Sequence, residues 1–89
     1  MNDRQFYEFA EALAQRVLKS PVKNEAERIE QAFRLCLSRQ PNAVEKRRLQ
    51  ELFDQQFSKE QGNESTRRQE AWKTMARVLL NLDETITRE

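Results

Sequence analysis

Residues 29–45, IEQAFRLCLSRQPNAVE, constrain the fold of this chain more than any other segment. Pro41 has no backbone N–H and disfavours helical geometry in the residue before it, so a helix arriving here should stop near Arg39. Asn42 can cap a new helix, and Glu45, three residues further on, can complete a capping box. Because the joint is short, we predict two helices that fold back on each other or cross at a steep angle.

Amphipathic periodicity extends this interpretation to the whole chain. Apolar residues recur at helical spacing in four segments, each with a cap signal and a breaker. One Gly, two Pro and no alternation of β-branched with polar residues favour helices over a sheet. We therefore predict an all-α fold, a compact four-helix bundle that forms a single helical domain over residues 1–89. The predicted helices span residues 3–19, 24–39, 43–58 and 66–82.

The same apolar stripes predict the core. Trp72 heads the widest stripe, in the last helix, and is predicted to be the core anchor. A helix this apolar is either central to the bundle or covered by a part of the protein outside this chain. Cys36 lies on the stripe of the second helix, and we expect it to be an inert core cysteine. The face predicted for the first helix consists of Phe6, Phe9, Ala10, Leu13 and Val17.

Polar residues mark where the helices should begin. Asn24 is placed to cap the second helix. The first helix can be capped by Asn2 or Asp3, and the last by Ser65 or Thr66. Residues 59–66, KEQGNEST, contain the single Gly and no large apolar side chain, which predicts a loop before the last helix.

Charge and residue usage argue against several classes of function. The net charge is +1, from 16 basic and 15 acidic residues, which is not typical of nucleic-acid or anionic-membrane binding. No His, one Cys and one Gly leave the common zinc, haem, Ser-His-Asp and glycine-rich phosphate sites without their residues. No apolar run reaches the ~18–20 residues of a membrane-spanning helix. We expect no enzyme activity, cofactor, metal site or membrane insertion in this chain.

A basic cluster in the third helix keeps one alternative open. Lys46, Arg47 and Arg48 form the densest run of cations in the chain, and Arg67 and Arg68 could join them on a phosphate-binding surface. Acidic residues follow the run within the same helix, so a solvated face is the favoured interpretation.

An acidic pair near the end of the chain predicts a structural clamp. Asp83 and Glu84 are unfavourable at a helix C-terminus, where the helix dipole attracts cations. They are therefore expected just past the end of the last helix, paired with Arg34 or Arg39 of the second helix or with Arg77. Such a pair would tie the tail to the Arg–x–Pro joint, residues 39–41; the alternative is that the acidic pair belongs to an interdomain contact.

Three segments of the chain resemble a known family. Residues 32–45, AFRLCLSRQPNAVE, are similar to an element of the form A-F-R-L-x-L-x-R-x-P-x-x-x-E. Residues 71–89, AWKTMARVLLNLDETITRE, are similar to an ending of the form A-W-x-x-x-A-R-x-L-L-N-L-D-E-F. The opening NDRQFYEFAEALAQRVL resembles a segment that precedes both. In this order they resemble the C-terminal part of the family known as domain of unknown function 1553. The chain departs from the family at Thr85, where an aromatic residue is usual.

The resemblance implies a fragment of a large exported protein of planctomycete type, periplasmic or in the cell envelope. Such proteins often carry an N-terminal cytochrome-c-like module, and any haem would be bound there, because this chain has no Cys-x-x-Cys-His motif. We predict a non-catalytic helical module that packs on, or docks for, the rest of its polypeptide or another protein. The alternatives are a free-standing regulator that binds a protein through the exposed face of the last helix, and a weak nucleic-acid binder.

Overall fold

The computed structural model of the chain describes residues 3–22 and 24–87, and their side chains as far as residue 82. The helices are α1 (Asp3–Lys19), α2 (Glu25–Leu37), α3 (Ala43–Lys59) and α4 (Glu64–Thr87). No strand occurs within these described ranges, so the predicted all-α, four-helix fold is confirmed.

The last helix, α4, is the central element. The helices α1, α2 and α3 each pack against it, whereas α1 and α3 have no contact with each other in the described part of the chain. Every residue from 70 to 80 is buried or half-buried. The sequence predicted that this helix is either central to the bundle or covered by a part of the protein outside this chain, and in the structure it is central. The largest fully buried side chains are Trp72, Phe33, Ile29, Met75, Leu79 and Val17.

The capped start of α3 follows the sequence signals closely. The side chain of Asn42 accepts a hydrogen bond from the backbone N–H of Glu45 at 2.8 Å, and the Glu45 carboxylate accepts one from the Asn42 N–H at 2.9 Å. These two bonds complete the predicted capping box. Asn24 likewise accepts from the N–H of Glu27 at 2.9 Å and caps α2.

The end of α2 differs from the prediction. The helix stops at Leu37, two residues before Arg39, because Ser38 takes the left-handed conformation with φ 57°. Its backbone N–H donates to the carbonyl of Arg34 at 2.9 Å and closes the last turn. The chain therefore leaves the helix before Pro41 can break it.

The start of α4 was predicted too late. Asn63 is the capping residue, since its side chain accepts a hydrogen bond from the N–H of Thr66 at 2.8 Å, and the helix begins at Glu64. The predicted caps Ser65 and Thr66 therefore lie inside the first turn. Asp3 is similarly the first helical residue of α1, and the other predicted cap of that helix, Asn2, lies outside the described residues.

The end of α4 was predicted too early. The helix continues to Thr87, and Asp83 and Glu84 belong to it instead of following it. No Gly or Pro after Leu82 interrupts the backbone, and this permits the extra turns.

The buried face of α1 also differs from the prediction. Ala10, Ala14 and Val17 are buried, whereas Phe9 is 56% exposed and Leu13 is only half-buried. Small side chains on the inner face let two helix backbones approach closely, and α1 packs more extensively against α4 than against α2. The larger residues of α1 consequently lie towards the side of the bundle.

Candidate protein-interaction site

A partly buried carboxylate links α2 to α4. Glu25, the first residue of α2, accepts hydrogen bonds from Arg28 and from Arg68 of α4 at 2.6 Å each. Its second oxygen accepts from the indole N–H of Trp72 at 2.9 Å. The Glu25 side chain is only 17% exposed, so these charge-assisted bonds are shielded from water. The donors belong to α2 and α4, so the network joins these two helices.

Arginines also fasten the start of α4 to α3. The guanidinium of Arg67 lies 4.2 Å from the ring centroid of Phe57 and donates to the Phe57 carbonyl at 3.0 and 3.2 Å. Arg68 lies 5.6 Å from the same ring and also pairs with Glu64 at 3.0 Å. These two cations are therefore held within the domain.

The Arg–x–Pro joint holds a second charge pair. The two terminal nitrogens of the Arg39 guanidinium, Nη1 and Nη2, donate to the two oxygens of Glu45 at 2.9 Å each, and the guanidinium lies 4.9 Å from the ring centroid of Phe33. The hydrogen bonds from Arg39, which have the larger effect, and from the Asn42 N–H lower the pKa of Glu45 to about 2. Pro41 is buried between the two helices' ends. Arg39 thus connects the end of α2 to the start of α3 at the joint.

The predicted clamp stays a prediction, because the side chains of Asp83 and Glu84 lie outside the described residues. Of its candidate cations, Arg39 is paired with Glu45, and Arg77 lies 4.8 Å from the ring centroid of Tyr7. Arg34 is exposed and has no ion pair within the part of the chain that the structure describes.

The basic cluster of α3 is partly neutralised. Lys46 pairs with Glu30 of α2 at 2.7 Å. Arg47 and Arg48 are exposed and have no ion pair among the described residues. Arg67 and Arg68 also bond to groups of the chain itself. The five cations considered for phosphate binding therefore do not form one open basic surface.

An apolar groove lies where α1, α2 and α4 meet. It encloses about 330 Å³. Phe9 is 56% exposed at one wall and Leu35 is 39% exposed at the other. We call this feature the apolar groove; its lining residues are Phe9, Ala12, Leu13, Arg16, Leu35, Cys36 and Leu80. Two large apolar side chains therefore remain open to water at one concave site.

Sequence reasoning did not find this groove. Phe9 was placed in the core because its spacing fits the same stripe as Ala10 and Leu13. Cys36 was also predicted to be a core residue, but it is half-buried and lines the groove. The last helix, through whose exposed face the alternative regulator was predicted to bind a protein, contributes Leu80 to the groove, and that alternative stays a prediction. The signal that could have revealed it is that α1 carries two apolar stripes, one of small residues and one of large ones.

Other kinds of site find little support among the described residues. No group of three or more His, Cys, Asp or Glu side chains there is arranged to hold a metal ion. None of the described helices has the length and apolar character needed to cross a membrane.

Comparison with known proteins gives one match. The profile of a family described as PSD1: protein of unknown function (DUF1553) matches residues 1–53, which contain the opening segment and the Arg–x–Pro joint. The similar ending at residues 71–89 lies outside the matched range. No curated protein and no solved structure matches the chain. Since the matched residues make up more than half of its 89 residues, the chain belongs to the DUF1553 family of proteins of unknown function.

Proposed function

We propose that this chain is a non-catalytic helical module that packs on, or docks for, the rest of a larger multidomain protein. The observation that carries the proposal is the apolar groove, with Phe9 and Leu35 exposed on its opposite walls. Burying large apolar side chains against a partner is the main favourable term in protein association. A second helical element seated there would remove both side chains from water.

The distribution of charged groups supports a structural role. The carboxylate of Glu25 binds three donors of its own chain, and Glu45 binds Arg39 and a backbone N–H. A general acid or base needs a proton acceptor or donor free to meet a substrate. These two carboxylates instead hold helices together.

The parent protein that we propose is a large exported one of planctomycete type, with this chain in its C-terminal part. The support is the resemblance of residues 71–89 to the family's ending, in addition to the matched residues 1–53. A haem module, where the parent has one, would lie elsewhere in that protein.

The same groove could receive a separate protein, as in a free-standing regulator. An experiment that separates the two readings begins with the reading frame that encodes Met1. An open frame running far upstream supports the multidomain parent, and a frame confined to this chain favours the regulator.

Hydroxyl-radical footprinting then tests the docking role directly, because it reports the solvent exposure of individual side chains. Phe9 and Leu35 should be oxidised readily in the isolated chain and protected in the full polypeptide. Val44, which is 44% exposed on α3 and away from the groove, is the matched control and should react equally in both. Equal oxidation of Phe9 in both samples would contradict the docking role.

A further inference from the structure

We propose that the occupant of the apolar groove is an amphipathic helix that carries a carboxylate, positioned to pair with Arg16. This inference rests on the docking function proposed above and names the chemistry of the partner. The shape of the groove and its unbalanced charge support it independently.

The shape of the groove suits a helix. Phe9, Leu13 and Arg16 lie at i, i+4 and i+7 on α1, so this wall extends about 10 Å, or two helical turns. Ala12 lies on the same wall and is exposed, and its single methyl group lets a second backbone approach closely. A helix with apolar side chains at i and i+3 or i+4 presents its anchors at the matching spacing.

The charge at the groove selects the sign of the partner. Arg16 lines the groove and has no ion pair within the described part of the chain. The two glutamates of α1 are engaged elsewhere, since Glu8 pairs with Arg4 at 3.3 Å and Glu11 with Lys73 at 3.5 Å. A partner that covers Arg16 removes water from its guanidinium, and a carboxylate replaces that water best because it accepts two parallel N–H bonds. A lysine at that position would be repelled.

The charge also disfavours a second copy of this chain as the occupant. A two-fold dimer places the same surface of each copy against the other. Two copies joined through this groove would supply Arg16 with no carboxylate, because the lining of the groove contains no acidic residue.

The test uses three fluorescein-labelled helical peptides of about 18 residues that share a leucine stripe. They differ at one position, one turn beyond the stripe, which holds Glu, Gln or Lys. Fluorescence anisotropy with the 89-residue chain at low salt should rank the affinities Glu, then Gln, then Lys, with about a five- to tenfold difference between the extremes. Arg16→Glu should invert that order. Phe9→Ser and Leu35→Ser should weaken binding of all three peptides about tenfold or more.

The matched controls lie on α3. Val44→Ser removes an apolar side chain whose exposure lies between those of Phe9 and Leu35, and Arg47→Glu reverses an exposed cation that has no ion pair among the described residues. Neither should change the ranking or the affinities. Tryptophan fluorescence of every variant checks that Trp72 remains buried and the chain folded.

Several outcomes would overturn the inference. These are equal binding of the three peptides, an unchanged order in Arg16→Glu, or equal loss of binding in Val44→Ser. Dimerisation that depends on Phe9 would identify a second copy as the occupant instead. Thermodynamic coupling between Arg16 and Asp83 would show that the chain's own acid satisfies Arg16. Protection of Phe9 in the full polypeptide, together with peptides that do not discriminate, would leave docking standing and reject only the acidic helix.

Discussion

The indole N–H of Trp72 donates a hydrogen bond to the carboxylate of Glu25 at 2.9 Å, so the largest core side chain is tied to the first residue of α2. The same carboxylate accepts from Arg68, one turn before Trp72 on α4. The burial of Trp72 and the hydrogen bonds of Glu25 therefore both hold α2 against α4.

Removing the Glu25 carboxylate should destabilise the domain. Glu25→Ala leaves Arg28, Arg68 and the Trp72 N–H without their acceptor, and should lower the free energy of unfolding by about 2–3 kcal/mol. Glu64→Ala is the matched control, because Glu64 also pairs with Arg68 but is 73% exposed; its loss should cost at most about 1 kcal/mol. Urea unfolding followed by fluorescence measures both. Equal effects of the two variants would contradict a special role for Glu25.

Trp72 should dominate the core energetically. Trp72→Ala should cost roughly 3–5 kcal/mol because it leaves a cavity where α2, α3 and α4 meet. In the wild type, a blue-shifted emission maximum and slow quenching by iodide are expected from a side chain with no exposed surface. Val44→Ala, at an exposed apolar position, should change stability by about 0.5 kcal/mol or less. An emission maximum typical of indole in water would refute this account of the core.

The Arg39–Glu45 pair should make stability depend on pH in the acid range. The folded pKa of Glu45, about 2, lies below its usual value of 4.5, so the pair's contribution is complete above about pH 5 and is lost as the pH falls towards 2. Wild type should exceed Glu45→Gln in stability at pH 7, and the difference should close by pH 2. Arg39→Gln removes the principal cause of the low pKa, and should shift that dependence to higher pH. A difference that stays constant from pH 7 to pH 2 would argue against the pair.

Ser38 is a site where glycine should stabilise the protein. The left-handed conformation costs a non-glycine residue about 1–2 kcal/mol, and glycine's greater freedom in the unfolded chain returns about 0.5–1 kcal/mol of that. Ser38→Gly should therefore raise the free energy of unfolding by about 0.5–1 kcal/mol. Ser58→Gly places the same substitution inside α3 and should have the opposite sign. Thermal unfolding of the two variants checks this contrast.

The predicted clamp between the tail and α2 is best tested at Arg34, since Arg39 and Arg77 have other contacts. A double-mutant cycle of Arg34→Ala with Asp83→Ala, repeated with Glu84→Ala, should give a coupling of about 0.2–1 kcal/mol. Zero coupling in both cycles would remove Arg34 from the clamp. The pair Arg48 and Asp83 serves as the control cycle, in which no coupling is expected.

Local signals explain what the sequence predicted well. Pro41, Asn42 and Glu45 act within a few residues of one another, so the joint and its capping box could be inferred without knowing the fold. The predicted end of α2 was wrong because Ser38 adopts the left-handed conformation, which is usual for glycine. No neighbouring residue in the sequence indicates that conformation.

Long-range packing explains what the sequence did not predict. Glu25 meets Arg68 and Trp72, which are 43 and 47 residues away, so its role depends on how α2 and α4 are placed. Phe9 was misassigned for a related reason. Periodicity favours the larger side chain for the core, but close packing of α1 against α4 selects Ala10 and Ala14. The apolar groove is the direct result of that choice.

The central position of α4 has a consequence for biosynthesis. This helix is the last of the four to leave the ribosome, and it supplies Trp72, Met75 and Leu79 to the core. Until it emerges, α1 and α3 are connected only through α2, and the apolar faces around Ile29 and Phe33 stay open in the nascent chain. At ordinary elongation rates the stretch from the loop to the end of α4 takes on the order of seconds to synthesise. We expect the first three helices to expose apolar surface during that interval, which is the kind of surface that chaperones bind.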